Sequence, residues 1–177
     1  MIDESTIKNM YNECLAHAKS LIDVSKWTHQ PTGIQLDTHK SKYGQATPDG
    51  LVLINTAFIG TDAINKLKET ILHELAHLIV GLKHHHSRLF RNWEAILLKG
   101  VVVNESERNE VKNNNGYKHR LLAICENTVH DLGGAFRRTK KFRDYQPTDN
   151  RFISVDGDKV IRFEYVPFDQ ELPPTEK

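Results

Sequence analysis

The sequence predicts an α+β protein that consists of one main domain and a small β-rich appendage. Its 177 residues are enough for one hydrophobic core but few for two ordinary domains. In the first hundred residues, apolar side chains recur every three to four positions in long segments, with short β-prone runs between them. The last third changes to short β-prone runs separated by turn-forming residues.

The first half of the main domain reads as a helix followed by a small sheet. Residues 3–24 carry apolar side chains at helical spacing from Ile7 to Ile22, which is typical of a packing helix. Two β-prone runs follow, 33–36 and 50–55. The residues between them include Gly44 and Pro48, which read as turn formers.

Two helices are predicted after this sheet. The first begins at a cap on Thr61 and continues to about Leu82, with Gly81 where a C-terminal cap is expected. Its wide apolar stripe indicates a deeply buried helix. The second helix follows Ser87, which is a suitable N-cap, and continues to about residue 99 before Gly100. The main domain is therefore predicted over 1–100.

The remaining residues are divided into a connection, a β-rich module and a tail. Residues 101–118 are polar after three valines and are predicted as a connecting loop. Short strands are predicted over 119–166, with Asp156-Gly157 as a hairpin turn between the last two. These strands are 119–125, 133–139, 151–155 and 159–166. Residues 167–177 contain two prolines and no apolar periodicity, which predicts a flexible tail.

Composition excludes several classes of protein. The net charge of +1 gives no global field toward nucleic acid, so any such contact must be local. The two cysteines, Cys14 and Cys125, lie far apart and provide no disulfide framework. The first ten residues lack an apolar leader, and no apolar run is long enough for a membrane span. These features favour a cytoplasmic protein, or a nuclear one if the source is eukaryotic.

The segment HELAH, residues 73–77, carries the chemistry. His73 and His77 are four apart, so on a helix both imidazoles project from one face and can share a metal ion. Glu74 lies beside the first histidine but is rotated away from it, as expected for a general base that acts on water. These polar groups on an apolar helix would be costly without a partner, which favours one catalytic zinc ion.

A catalytic zinc needs a third protein ligand and an open position for water. A third histidine of the metzincin type would fall at position 83, which is Lys83, so that class is disfavoured. Glu94, on the following helix, is about the distance at which gluzincins supply a glutamate. Among the histidines, position just before the Ser87 cap favours His86 over its neighbours, and Glu94 remains a competitor. The candidates are His84, His85, His86 and Glu94.

The segment from HELAH to Trp93 resembles the SprT-like metallopeptidase family. That family follows HExxH with a histidine in an H-G-x-x-[FW] segment, which residues 86–90 match except that Ser87 replaces glycine. The resemblance covers roughly 5–98 and implies a zincin-like domain. It also implies that His86 is the third zinc ligand and that Phe90 packs in the core.

Downstream, the chain departs from the family, whose members commonly carry a zinc ribbon with paired CxxC knuckles. Residues 125–128 and 146–149 occupy what look like these knuckles, and one cysteine, Cys125, remains. A second, ribbon zinc is therefore not expected, and the β-strands are predicted to form a metal-free, degenerate ribbon-like module. The residual ligand candidates are Cys125, His130 and Asp149, a thiolate-poor set.

A basic segment lies between these remnants. Its cations are interleaved with Phe136 and Phe142, a pattern that can contact phosphates and stack on unpaired bases. A solvated basic hairpin is the alternative. The candidate nucleic-acid-binding residues are Arg137, Arg138, Lys140, Lys141 and Arg143.

Together these features predict a zinc-dependent endopeptidase whose cleft lies between the metal helix and the first sheet. Tyr43 and His85 are candidates for stabilising the oxyanion. Its partner is a protein or peptide substrate, and the resemblance implies proteins bound or crosslinked to DNA, with single-stranded DNA preferred. The alternatives are a non-catalytic DNA-binding or adaptor module with a vestigial zinc, and a peptidase with a dedicated non-DNA target.

Overall fold

The computed structural model describes residues 1–39, 41–168 and 170. The chain divides into two compact units, Met1–Asn115 and Gly116–Lys177. Helices and strands occur in each unit, so the α+β class is confirmed. Within the described ranges, no helix has both the length and the apolar character that a membrane span requires.

In its described residues, the first unit contains four α-helices and a three-stranded sheet. The predicted helices and the two predicted strands are present with slightly different ends, and a third strand, β2, was not predicted. In the sheet, β3 lies in the middle, parallel to β1 and antiparallel to β2. The elements are α1 Glu4–Leu21, β1 Gly33–Asp37, β2 Gly44–Ala46, β3 Leu51–Asn55, α2 Ile64–Val80, α3 Arg88–Leu97 and α4 Glu105–Asn113.

Helix α2 is the centre of this unit. Its apolar side chains meet α1, the sheet, α3 and α4, so little of the helix is left in water. Such complete packing holds a helix rigidly, because displaced side chains would open voids. The fully buried side chains of α2 and its neighbours include Ile7, Val52, Ile54, Phe58, Leu67, Ile71, Leu72, Leu75, Leu78, Phe90 and Leu97.

The predicted cap at the start of α2 is wrong. The helix begins at Ile64 after Ala63, which has no side chain able to cap, while the Thr61 hydroxyl donates to the Phe58 carbonyl at 2.7 Å. A carboxylate on α4 accepts a hydrogen bond from the start of α2 instead. Asn65 N–H donates to Oε1 of Glu107, 42 residues later in the chain, at 2.9 Å. A distant carboxylate performs the capping task that the sequence assigned to a local hydroxyl.

The connecting loop predicted over 101–118 is also wrong in its central part, where α4 forms. Asn104 and Glu107 make a capping box, since the Asn104 side chain accepts from Glu107 N–H at 2.8 Å and the Glu107 carboxylate accepts from Asn104 N–H. Val111 is fully buried against the main core. A short polar helix thus forms because one apolar side chain, that of Val111, is buried and the box satisfies its N-terminus.

The second unit is a four-stranded antiparallel sheet with a short helix. Strand β4 lies between β5 and β7, and β6 pairs with β7. Its small core contains Leu121, Ala123, Cys125, Val160 and Phe163. The elements are β4 His119–Cys125, β5 Val129–Ala135, α5 Lys140–Arg143, β6 Ser154–Val155 and β7 Asp158–Pro167.

The predicted hairpin turn at Asp156-Gly157 is confirmed. Val155 pairs with Asp158 across it, and both turn residues have positive φ, 51° and 92°; a two-residue hairpin favours this conformation. The predicted strand through residues 133–139 is partly wrong, because β5 ends at Ala135 and α5 follows. Of the predicted tail 167–177, Pro167 ends β7, and residues 169 and 171–177 lie outside the described residues.

Candidate metal centre and active-site cleft

The structure brings together three of the predicted histidines. His73 and His77 lie one turn apart on α2 with ring centroids 5.0 Å apart, and His86 lies 5.1 and 5.2 Å from them. One ligand atom from each lies within 4.8 Å of the others. The Nε2 atoms of His73 and His86 are 3.3 Å apart, close to the separation of about 3.3 Å that two nitrogens have on a tetrahedral zinc.

The chain between α2 and α3 turns His86 back toward α2. Gly81 ends the helix with φ 95°, a left-handed conformation that a side chain would strain. The next residues form a tight turn, and Ser87 then caps α3 by accepting from Phe90 N–H, as predicted. His84 and His85 are exposed and do not join the histidine cluster.

Phe90 packs against the histidine cluster, which consists of His73, His77 and His86. Its ring is fully buried and stacks on His77 at 4.2 Å, with the rings of His73 and His86 each 5.0 Å away. The expectation that Phe90 packs in the core is confirmed. Because the Phe90 ring is apolar, the imidazole nitrogens are the polar atoms that this cluster offers to a ligand.

Glu94 lies behind His73. Its Oε1 atom is 2.5 Å from Nδ1 of His73, the ring nitrogen opposite the one that faces His86. Metal-binding histidines commonly donate their second N–H to a carboxylate, which fixes the tautomer and the ring orientation. Of the candidates left open by the sequence, His86 joins the cluster, and Glu94 takes an orienting position.

Replacing Glu94 by Ala should weaken zinc binding by about 10- to 100-fold without removing the site, because His73 would lose its orienting partner. Competition with a chromophoric chelator measures this change. His86→Ala is the matched comparison and should have the larger effect. Near-complete loss of zinc in Glu94→Ala, together with near-normal affinity in His86→Ala, would instead make Glu94 the third ligand.

The donor set fits a zinc ion. Nδ1 of His77 is buried and, within the described chain, has no hydrogen-bond partner. Burial, with the charges of the neighbouring histidines, lowers the pKa of His77 to about 4, so the ring is neutral near pH 7, the form that binds metal. Neutral imidazoles are good zinc ligands, and three of them leave a fourth position open.

Glu74 follows His73 on α2 and lies next to this cluster. It is 5% exposed, and burial raises the pKa of its carboxyl although His73 and the Ala46 N–H oppose the shift. Its Oε2 atom accepts from Ala46 N–H of β2 at 2.8 Å. The carboxylate is therefore held in one orientation by the backbone of the edge strand.

Gly44 is required for this approach. A Cβ atom there would lie 2.8 Å from both Glu74 Oε1 and Thr70 Cγ2. Sequence reasoning missed Gly44 and Ala46, since a lone glycine reads as a turn and a backbone N–H has no side-chain signature. The Asn55 side-chain amide also acts here: it donates to Lys42 O at 2.8 Å and so holds the chain entering β2.

Gly44→Ala should lower kcat by about 10- to 100-fold while zinc affinity stays unchanged, because displacing the Glu74 carboxylate by a fraction of an ångström misplaces the base. Steady-state proteolysis and chelator competition on the same preparation measure the two quantities. Gln45→Ala, on the same strand, is the control and should retain activity. A wild-type kcat for Gly44→Ala would show that the strand does not position Glu74.

An open cleft of about 750 Å³ connects these groups. It lies between α2 and β2, which agrees with the predicted position, and both oxyanion candidates, Tyr43 and His85, line it. Three further lining residues form ion pairs with one another: Lys66 and Arg108 both contact the carboxylate of Glu69, and the Arg108–Glu69 distance is 3.1 Å.

The basic segment lies in the second unit, in and before α5. Its five cations are exposed. One of them, Arg143, forms a bidentate ion pair with Asp144, with donor–acceptor distances of 2.7 and 3.0 Å. Phe142 packs edge-on against Phe163 at 4.7 Å in the small core, and Phe136 contacts Tyr117 at 4.5 Å. The exposed cations are accessible to phosphates, whereas the rings of Phe136 and Phe142 pack against other aromatic rings of the protein.

The chain matches no protein-family model, no curated protein and no solved structure.

Proposed function

We propose that this protein is a zinc-dependent endopeptidase of the SprT-like type, with a zincin-like catalytic domain. The observation that carries the proposal is the convergence of His73, His77 and His86 beside the buried carboxylate of Glu74 on one open cleft. A purely structural metal site has no use for an adjacent buried carboxylate and is usually closed by a fourth protein ligand.

The chain supplies a defined set of roles. His73, His77 and His86 would hold the zinc ion, and Glu94 and Phe90 would orient their rings. When bound, zinc supplies Lewis-acid polarisation of the scissile carbonyl and of a water. Glu74 takes the proton of the attacking water and later delivers it to the leaving amine, while the Ala46 N–H keeps its carboxylate aimed.

A substrate that is a protein bound or crosslinked to DNA is the second part of the proposal. It rests on the family resemblance and on four exposed cations of the basic segment: Arg137, Arg138, Lys140 and Lys141. Exposed cations close in sequence contact phosphates without reading bases. Because Phe136 and Phe142 pack within the protein, preference for single strands has no support from base stacking at these rings.

The activity test uses casein as an unfolded substrate and a basic DNA-binding protein as a second. We expect chelation to abolish cleavage of both, and stoichiometric zinc to restore it. Single-stranded or double-stranded DNA should accelerate only the second reaction. Absence of zinc-restored cleavage would leave the adaptor alternative, while cleavage unaffected by DNA would favour a dedicated non-DNA target.

Replacing Arg137, Arg138, Lys140 and Lys141 together by Ala should flatten the salt dependence of DNA binding. Each lost phosphate contact lowers the slope of log K against log salt by roughly 0.7 to 0.9. Fluorescence anisotropy at several salt concentrations measures the slope. Arg143→Ala is the control, with a smaller effect because Asp144 already pairs with that guanidinium. An unchanged slope in the fourfold variant would make the segment an ordinary solvated surface.

A further inference from the structure

A second group of metal-ligating side chains lies in the Gly116–Lys177 unit. Cys125, at the end of β4, His130, on β5, and Asp158, at the start of β7, place one ligand atom each within 4.8 Å of one another. Cys125 is 6% exposed. These three residue types have different ligand atoms, a sulfur, a nitrogen and an oxygen.

The sheet topology produces this convergence. Strand β4 pairs with both β5 and β7, so the turn after β4 lies beside the turn between β6 and β7. Cys125 N–H donates to Thr128 O at 2.9 Å and closes the first turn, and the positive φ of Asp156 and Gly157 closes the second. Two hairpin turns therefore present their side chains to one small cleft of about 210 Å³, which Cys125 and Asp158 line.

The surroundings of His130 resemble those of a metal-binding histidine. Its Nε2 atom lies 3.2 Å from Asp158 Oδ2, near the separation of about 3.3 Å between two ligands of a tetrahedral zinc. Its other nitrogen, Nδ1, lies 3.5 Å from Oδ2 of the exposed Asp156 carboxylate, within ion-pair range but longer than a good hydrogen bond. Thr128 donates to Asp158 Oδ2 at 2.7 Å and fixes that carboxylate.

We propose that Cys125, His130 and Asp158 form a second metal site, which takes a divalent cation of the zinc class independently of the histidine cluster on α2. One thiolate excludes magnesium and calcium as preferred occupants, because both select oxygen ligands. Imidazole and carboxylate complete three positions of a tetrahedron, and the Thr128 hydroxyl or a water is available for the fourth. A cation here would join the two hairpin turns.

The site differs from the residual set named from the sequence. Asp149 is fully exposed and lies 3.8 Å from Lys159, so it does not face Cys125. The carboxylate that does so belongs to Asp158, nine positions later, because the hairpin that meets β4 is β6–β7 and not the segment 146–149. The expectation of a metal-free module rested on the loss of all but one cysteine, and it took 146–149 as the second turn.

Cobalt is the probe for this site, because thiolate ligation gives Co²⁺ an intense near-ultraviolet charge-transfer band. The full chain, stripped of metal and kept reduced, is titrated with Co²⁺ as wild type and as His77→Ala. We expect two equivalents in wild type and one in His77→Ala, with the band in both. Zinc should displace the cobalt and remove the band, whereas excess Mg²⁺ should not.

Two variants and a control assign the ligands. Cys125→Ser should abolish the band and remove one equivalent, and Asp158→Asn, at a half-exposed position, should weaken this binding at least about tenfold without disturbing the core. Cys14→Ala, at the other cysteine, should retain the band. A wild-type protein without the band, or a band that survives Cys125→Ser, overturns the second site. A wild-type protein that binds one cobalt with the band supports it and removes the α2 centre instead.

Discussion

Glu74→Gln is expected to lower kcat for casein cleavage by roughly 10²- to 10⁴-fold while the zinc content stays at the wild-type value. Glutamine has nearly the same shape and still offers an oxygen to the Ala46 N–H, so the cleft wall should persist. It cannot accept a proton from water. Steady-state kinetics and metal analysis of the same preparation separate the loss of the base from a loss of zinc.

Glu69→Gln is the matched control for this substitution. Glu69 lies on the same helix, lines the same cleft and is engaged by Lys66 and Arg108. Its replacement should change kcat by a few-fold at most, since it has no part in the proposed proton transfer. Equal cleavage by wild type and Glu74→Gln would rule out Glu74 as the base, and equal losses in the two variants would indicate a general effect of cleft charge.

His77→Ala is expected to remove one equivalent of tightly bound zinc and reduce proteolysis to background. Two of the three proposed ligands come from one rigid helix, so the loss of either leaves a pair that cannot hold zinc tightly. In wild type, zinc at 1,000 times its Kd should stabilise the fold by about 4 kcal/mol. The variant should lose this gain, which thermal unfolding with and without zinc measures.

His84→Ala is the control for the metal centre, because His84 is an exposed histidine in the adjacent turn and does not join the cluster. Its zinc content and its zinc-dependent rise in Tm should equal those of wild type. Retained zinc stoichiometry in His77→Ala would remove the assignment of HELAH as a metal site, and the enzyme proposal with it.

The parts of the fold that sequence predicted well are governed by local geometry. Helix α2 follows from apolar periodicity, and the proximity of His73 and His77 follows from four-residue spacing on a helix. Ser87 as a cap and the Asp156-Gly157 turn depend on a few adjacent residues. In each case the decisive interactions lie within one turn of the chain.

The parts that sequence missed depend on contacts between distant segments. Strand β2 has three residues, too few for a periodic pattern, and it forms because β3 offers an open edge beside it. The capping of α2 by Glu107 joins residues 42 positions apart. Glu94 could serve as a metal ligand or as a carboxylate that orients His73. The two roles differ in whether Glu94 reaches the metal or the far nitrogen of the His73 ring, and the spacing of residues in the sequence does not distinguish them.

The segment 136–143 shows a different limit. Its alternation of cations and aromatic rings is equally compatible with a nucleic-acid surface and with an amphipathic turn that packs its rings inward. The structure places Phe142 against Phe163 and leaves the cations outside. Sequence therefore indicated the charge of this surface correctly but could not say which way the rings face.

The hydrogen bonds that α4 makes with the start of α2 determine how far the first unit can be shortened without destabilising that helix. A truncated chain that ends at Gly100 would lack the carboxylates of Glu107 and Glu110, which accept from Asn65 and Asp62 N–H. Lost caps cost about 1 kcal/mol each, and the helix they release is the one that carries HELAH. Nicking by a protease between 101 and 115 would therefore loosen α2, even though no bond of α2 itself is cut.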